Sequence, residues 1–108
     1  MANPIEKRKA ERFRASANAT CVFVSPVLED FGLVTLVNIS INGVGFTSTQ
    51  ELPPKLLLAI TMQNVATKFS KTVLVRVVHS TLQPGGTYLV GGELDTPLTY
   101  DELRHFVL

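Results

Sequence analysis

Hydrophobic and polar residues alternate along much of this chain with the two-residue period of a β-strand. Residues 72–80 show the pattern most clearly, because Val73, Val75 and Val77 share one parity while Arg76 lies between two of them. Successive side chains of a strand point to opposite faces of the sheet. The pattern therefore predicts a strand with one buried face and one exposed face.

Five further segments combine β-branched, aromatic and other apolar residues in strand-sized runs. They are residues 20–24, 31–39, 43–47, 56–62 and 87–94. In the second segment the alternate positions from Leu33 to Ile39 predict that Val37 and Ile39 share one face. The turn Gln83-Pro84-Gly85-Gly86 predicts a hairpin between residues 72–80 and 87–94. Short strands without long helical patterns between them favour a β-sandwich or a β-barrel.

The last ten residues follow a different period. Thr99 and Glu102 have the spacing of a capping box, and Leu98 and Leu103 have that of a hydrophobic staple. Leu103 and Phe106 continue as an apolar stripe at helical spacing. We therefore predict an all-β domain that ends in a short helix, which starts at about residue 99.

Length and composition limit the alternatives. A chain of 108 residues with 45% hydrophobic content fits a single domain with one core. We expect no membrane span, because no apolar run approaches the ~20 residues that a span needs. The single cysteine, Cys21, allows no disulfide within the chain. Early charges with no apolar segment after them argue against a secretory signal, so we expect a cytoplasmic protein.

The charge is unevenly distributed along the chain. Residues 1–14 contain five of the ten bases but only two of the nine acids, so they carry +3 and leave −2 for residues 15–108. We interpret residues 1–14 as a basic N-terminal arm on a mildly acidic domain. Either an anionic partner or a need for solubility explains such an arm.

Two arginines in the arm, Arg8 and Arg12, are separated by three residues, and Lys7 and Lys9 flank the first of them. In an extended or loosely turned arm, both guanidinium groups can close on one anionic ligand. Arginine suits phosphate and guanine because its planar fork donates paired hydrogen bonds. Paired arginines at this spacing are common, so the pair alone is weak support for a site.

A second polar segment, Asn38-Ile39-Ser40-Ile41-Asn42-Gly43, ends the predicted strand 31–39. Asn38 and Ser40 are two residues apart, so they project from the same face if the strand geometry persists. Gly43 permits a positive φ angle and a close approach of the backbone to a ligand. An ordinary turn uses the same residue types.

Taken together and in this order, the two segments resemble the motifs of the PilZ family of bacterial cyclic di-GMP receptors. That family has an RxxxR motif on an N-terminal arm and a [D/N]xSxxG motif further along. Arg8 and Arg12 match the first motif, and Asn38, Ser40 and Gly43 match the second. The resemblance extends over nearly the whole chain, including the strand at residues 75–78, the segment 91–94 and the terminal helix.

The resemblance implies a six-stranded antiparallel PilZ-type β-barrel at residues 15–108, with the arm folding over one face. It implies that Arg8 and Arg12 contact the guanine edges and phosphates of cyclic di-GMP. Asn38, Ser40 and Gly43 would add hydrogen bonds to guanine from the barrel surface. The protein would then be a receptor whose arm changes conformation on binding and signals to a separate, unidentified protein. We expect a monomer or weak dimer without a metal or other cofactor.

Three further residues are weaker candidates for contact with the ligand. Lys7 precedes the first arginine, a position that in the family bears on whether one ligand or a stacked pair is bound, and Lys9 follows that arginine. His79 lies near the position where many relatives carry a tryptophan. It is a candidate for stacking on a base. The alternative interpretation is that His79 is a partly buried structural histidine.

Other functions have less support. His79, His105 and Cys21 lie at no spacing that indicates a metal site or a nucleophile, so we predict that the protein is not an enzyme. Aromatic residues are too few for the exposed stacking row of a single-strand binder, so we expect no nucleic acid partner. The alternative function that we keep is a PilZ-like adaptor that binds protein and no nucleotide.

Overall fold

The computed structural model describes residues 11–24 and 34–107, which form one sheet and one helix. In chain order the elements are β1 (Phe13–Arg14), β2 (Ala19–Phe23), β3 (Thr35–Ile39), β4 (Gly43–Ser48), β5 (Leu57–Asn64), β6 (Phe69–Leu82), β7 (Tyr88–Leu94) and α1 (Tyr100–Leu103). The predicted all-β fold with a short C-terminal helix is confirmed. Within these ranges no helix has the length and apolar character needed to cross a bilayer.

The seven strands form one antiparallel sheet in the order β1-β3-β4-β7-β6-β5-β2. Its two outermost strands, β1 and β2, are consecutive in the chain and are linked by residues 15–18 only. This link can span at most about 18 Å. The outer strands of a flat sheet of this size would lie about 29 Å apart. The sheet must therefore curl, and it forms a half-barrel.

The expectation of a closed six-stranded barrel is wrong. The described residues form a curled sheet of seven strands that is a half-barrel. The unexpected strand is β1, in which Phe13 pairs with Ile39 and Arg14 with Asn38. Two residues are too short to show an alternating pattern, so nothing in the sequence separated them from the basic arm.

The concave face of the sheet holds the core. On β6, Val73, Val75 and Val77 are buried and Leu74 is half exposed, which confirms the predicted alternation. The rings of Phe23 and Phe46 meet edge to face at 6.1 Å between centroids. Because these rings come from β2 and β4, the contact joins the two arms of the curled sheet and stabilises its curvature.

A β-bulge in β3 overturns the predicted parity of that strand. The register shifts between Leu36 and Asn38, so Val37 is the extra residue. Leu36 and Ile39 are both buried although they are three residues apart. The bulge therefore turns Asn38 to the convex outer face, and Val37 and Ile39 do not follow simple alternation.

The capping box of α1 is present as predicted. The Thr99 Oγ1 atom accepts from the Glu102 backbone N–H at 3.1 Å, and the Thr99 N–H donates to Glu102 Oε1 at 2.9 Å. Lys71 donates to Glu102 Oε2 at 2.8 Å, and this hydrogen bond is the main cause that lowers the pKa of Glu102. The helix thus attaches to β6 from its first turn.

The segment after α1 reaches the start of the chain. Phe106 is fully buried, and its carbonyl accepts from the Ser16 N–H at 2.8 Å. Ala15 bridges to Val107 on one side and donates its N–H to the Val37 carbonyl at 2.9 Å on the other. The residues that follow β1 are therefore held between β3 and the C-terminal segment.

Cys21 faces the core with 3% of its surface exposed, as expected for a small apolar residue of a strand. Burial raises the pKa of its thiol to about 12 from an ordinary value of 9.0. The unfolded chain therefore loses this proton at lower pH than the folded chain does. The contribution of Cys21 to stability is present below pH 9 and is lost as the pH rises towards 12.

We expect native protein not to react with a thiol-specific reagent at pH 8, and unfolded protein to react fully. The absorbance of the thiolate that the reagent releases, recorded in buffer and in denaturant, measures the reaction of the native and of the unfolded protein. Between pH 9 and 12 the free energy of unfolding should fall more steeply for the wild type than for Cys21→Ala. Equal slopes, or rapid labelling of the native protein, would show that the thiol is accessible.

Candidate functional site

Arg12 and Asn38 lie in contact although they are 26 positions apart in the sequence. Arg12 Nη1 donates a hydrogen bond to Asn38 Oδ1 at 2.6 Å. Arg12 immediately precedes β1, and the pairing of Arg14 with Asn38 sets the distance between arm and strand. The two-residue strand therefore fixes the end of the arm beside the [D/N]xSxxG segment.

Asn38 lies flat on the outer face because its neighbour on β4 is Gly45. A Cβ atom at Gly45 would lie 2.7 Å from Asn38 Oδ1 and 2.9 Å from Nδ2, which is closer than such atoms approach one another. Glycine leaves the space that the amide occupies. The bulge and this glycine together determine where the amide points.

The guanidinium of Arg12 lies over Gly43. A Cβ atom at Gly43 would be 3.2 Å from Arg12 Nη2 and 3.5 Å from Ser40 Oγ. The structure thus brings together Arg12, Asn38, Ser40 and Gly43, which were selected from two distant segments of the sequence. The result is a cluster in which an exposed cationic fork and a part-exposed amide lie beside a buried glycine, next to which the Ser40 hydroxyl is also buried.

Ser40 is only 2% exposed and is engaged in the turn that follows β3. Its N–H donates to the Gly43 carbonyl at 2.9 Å, and its Oγ donates to Asn42 Oδ1 at 3.1 Å. The Asn42 N–H in turn donates to Ser40 Oγ at 3.3 Å. In this structure Ser40 shapes the turn that presents Gly43, and its direct contact with a ligand stays a prediction.

The other predicted site residues fall in two groups. Lys7, Arg8 and Lys9 lie outside the described residues. His79 is exposed on the outer face, because a bulge between Val77 and His79 shifts the register of β6. The alternative of a partly buried His79 is therefore wrong.

The position of His79 relative to Asn38 follows from the strand register. His79 pairs with Gly91, Gly91 with Gly45, and Gly45 with Asn38. A Cβ atom at Gly91 would lie 2.9 Å from the His79 ring, so the imidazole covers this glycine as the Asn38 amide covers Gly45. Asn38 and His79 thus occupy one row of the outer face, with two glycines between them.

Glu93 lies beside this cluster, although neither motif of the sequence includes it. Glu93 pairs with Gly43 across the β4–β7 ladder and is exposed. Alternation along β7 predicts an outward side chain at this position, but its nearness to Gly43 depends on which strands are neighbours. No local feature of the sequence carries that information.

His105 has a structural environment. Its ring stacks on Phe69 with centroids 4.2 Å apart, and its Nδ1 atom lies 3.1 Å from Thr67 Oγ1. The Asn64 Nδ2 group donates to the His105 carbonyl at 2.5 Å. These contacts hold the end of the C-terminal segment against the β5–β6 turn. In the part of the chain that the structure covers, no three His, Cys, Asp or Glu residues are grouped as a metal site would require.

Comparison with known proteins found no matching family model, no matching curated protein and no matching solved structure. The chemistry of the residues themselves then indicates what the site can bind. The Arg12 fork and the Asn38 amide offer planar, directional hydrogen bonds, and Gly43 leaves the space that the guanidinium occupies. Such a surface suits a flat ligand that has acceptor pairs and negative charge.

We expect Gly45→Ala to displace the Asn38 amide and break its hydrogen bond with Arg12, while the fold persists. The clash is with the end of a side chain that can turn towards solvent, so the change in stability should be below about 1 kcal/mol. Side-chain amide signals of Asn38 in NMR spectra report the displacement. Thr47→Ala, on the same strand and face, is the control. Unshifted Asn38 signals in Gly45→Ala would show that the amide does not lie on Gly45.

Ser40→Ala should lower the free energy of unfolding by about 1 kcal/mol, because the buried turn loses its hydroxyl and the Asn42 N–H loses an acceptor. Urea denaturation measures the change. Ser70→Ala, at an exposed position of β6, should have almost no effect. Equal midpoints for the two variants would rule out the structural role of Ser40.

Proposed function

We propose that this protein is a receptor for cyclic di-GMP, which binds where the basic arm meets the outer face of the sheet. The observation that carries the proposal is the hydrogen bond between Arg12 and Asn38 above Gly43. It joins one residue of the RxxxR motif to the [D/N]xSxxG motif at a single place. The resemblance of both motifs to the PilZ family supplies the ligand, and we assign the half-barrel to that family as part of the proposal.

The chemistry of the cluster supports a guanine dinucleotide. Guanine presents the acceptors N7 and O6 side by side, and a guanidinium fork donates to both. Arg12 has five N–H donors and uses one on Asn38, so the others can reach a base or a phosphate. Arg8 would add the second fork, and Lys7 and Lys9 would add positive charge towards the phosphates. His79 would offer a ring on which a base stacks.

Binding would change the conformation of the arm, because the ligand would hold Arg8 and Arg12 together. Among the described residues of the arm, Phe13 and Arg14 pair with β3, and Arg12 extends beyond them. A ligand that holds Arg12 and Arg8 together would favour the conformation in which the arm lies over β4. The shift in population is the signal, and its energy comes from the ligand's preference for that state.

The signal would pass to a separate protein, since the proposed receptor carries out no chemistry of its own. The outer face of the sheet offers exposed apolar side chains, among which Val22 is 59%, Leu57 57% and Leu74 49% exposed. Exposed apolar side chains suit contact with another protein better than contact with the charged backbone of a nucleic acid. The same observation supports the second candidate function, an adaptor that binds protein and does not bind nucleotide.

Titration calorimetry with cyclic di-GMP tests the proposal. Arg12→Ala and Arg8→Ala should each weaken binding on the order of 10- to 100-fold, because each removes a charge-assisted fork. Arg104→Ala is the matched control, because Arg104 is an exposed arginine at the other end of the chain, beside Asp101. Its affinity should equal that of the wild type.

Thermal unfolding of each variant shows whether the fold is intact. The proposal fails if the folded wild type gives no heat and no rise in melting temperature with cyclic di-GMP. It also fails if both arm variants keep full affinity. If the protein captures the same partner with and without added nucleotide, the result would then favour the second candidate function, an adaptor.

A further inference from the structure

Glu93 is placed next to the proposed site by the strand register and takes no part in the two motifs. It pairs with Gly43 on β4, and the Arg12 guanidinium lies over that glycine. We propose that Glu93 is the residue that selects guanine, by accepting hydrogen bonds from N1–H and the N2 amino group of one base. This inference rests on the proposed function and names the contact that determines its specificity.

The side chain of Glu93 projects on the face where the ligand would lie. Its neighbours in β7, Gly92 and Leu94, are buried and face the core, while Glu93 is exposed. Directly opposed residues of an antiparallel pair point to the same face about 5 Å apart. Glu93 therefore lies on the outer face beside the position that Arg12 covers.

The carboxylate of Glu93 is available to a ligand. The ion pairs found within residues 11–24 and 34–107 are Lys71–Glu102 and Arg104–Asp101, and Glu93 takes part in neither. Arg76 is its register partner on β6, and both residues line a cavity of about 140 Å³ on the side away from Gly43. Charges of alternating sign thus follow one row across the sheet, from Arg12 through Glu93 to Arg76.

This order of charges complements guanine. Going round the base, the acceptors N7 and O6 are followed by the donors N1–H and N2–H. A guanidinium fork matches the first pair, and a carboxylate, which has two acceptor oxygens, matches the second. Adenine presents an acceptor at N1 and has no N2 amino group. A carboxylate facing that edge would be left unsatisfied, at a cost that disfavours adenine.

Whether affinity for cyclic di-GMP rises or falls when Glu93 loses its charge distinguishes a hydrogen-bonding role from a merely electrostatic one. Cyclic di-GMP carries two negative charges, so a nearby carboxylate that made no hydrogen bond would repel it. Removing the charge of Glu93 should then strengthen binding. If Glu93 accepts from the base, the same change weakens binding. Glu93→Gln keeps the size of the side chain and therefore gives opposite results for the two cases.

The experiment combines this variant with a change in the ligand. Calorimetry measures the affinities of wild type and Glu93→Gln for cyclic di-GMP and for cyclic di-IMP, which lacks the N2 amino group. In the wild type, loss of that group should weaken binding about 10-fold or more, as expected for a hydrogen bond to a charged acceptor. In Glu93→Gln the two ligands should differ far less, because the interaction is already lost.

Glu51→Gln is the matched control, because it removes one exposed carboxylate beyond the opposite end of β4. It should discriminate between the two ligands as the wild type does. The inference is overturned, while the proposed function stands, if Glu93→Gln binds cyclic di-GMP as tightly as or more tightly than the wild type. Equal discrimination by wild type and Glu93→Gln also overturns it. If the wild type binds neither ligand, the proposed function itself fails.

Discussion

The short link between β1 and β2 is the constraint on which the rest of the structure depends. These strands lie at opposite ends of the sheet but are joined by residues 15–18 only, so the sheet has to curl. Ala15 is held between Val37 and Val107, which closes this corner of the molecule. The same corner sets the place of Arg12, which precedes β1 and reaches Asn38. Curvature and site geometry therefore have one origin.

The outer face of the sheet is organised by small local departures from regular β-structure. One bulge in β3 turns Asn38 outward, and another in β6 does the same for His79. Beneath both side chains lies a glycine of the neighbouring strand, which lets a planar group rest on the backbone. A regular sheet with side chains at these positions would leave no room for such a surface. The polar surface beside Arg12 therefore results from the two bulges and the glycines, which leave the packing of the core on the other face intact.

Much of the fold was predictable because its signals are local. The alternation of residues 73–78, the turn at 83–86 and the capping box at Thr99 each involve neighbours in sequence, and all are found in the structure. The predicted face of Val37 and Ile39 was wrong, because a bulge leaves no mark in composition. β1 was missed, because two residues show no period. The count of strands and the closure of the barrel depended on these long-range details.

For the site, the sequence by itself determined which residue types were present and in what order. It did so because arginine, asparagine and glycine have chemistry that does not depend on the fold. Only the tertiary structure decided that Arg12 meets Asn38 above Gly43, that Ser40 is engaged in its own turn, and that Glu93 stands beside them. These contacts join residues far apart in the chain, and they arise from strand order and register. Both are set by the packing of the whole sheet, so no short segment encodes them.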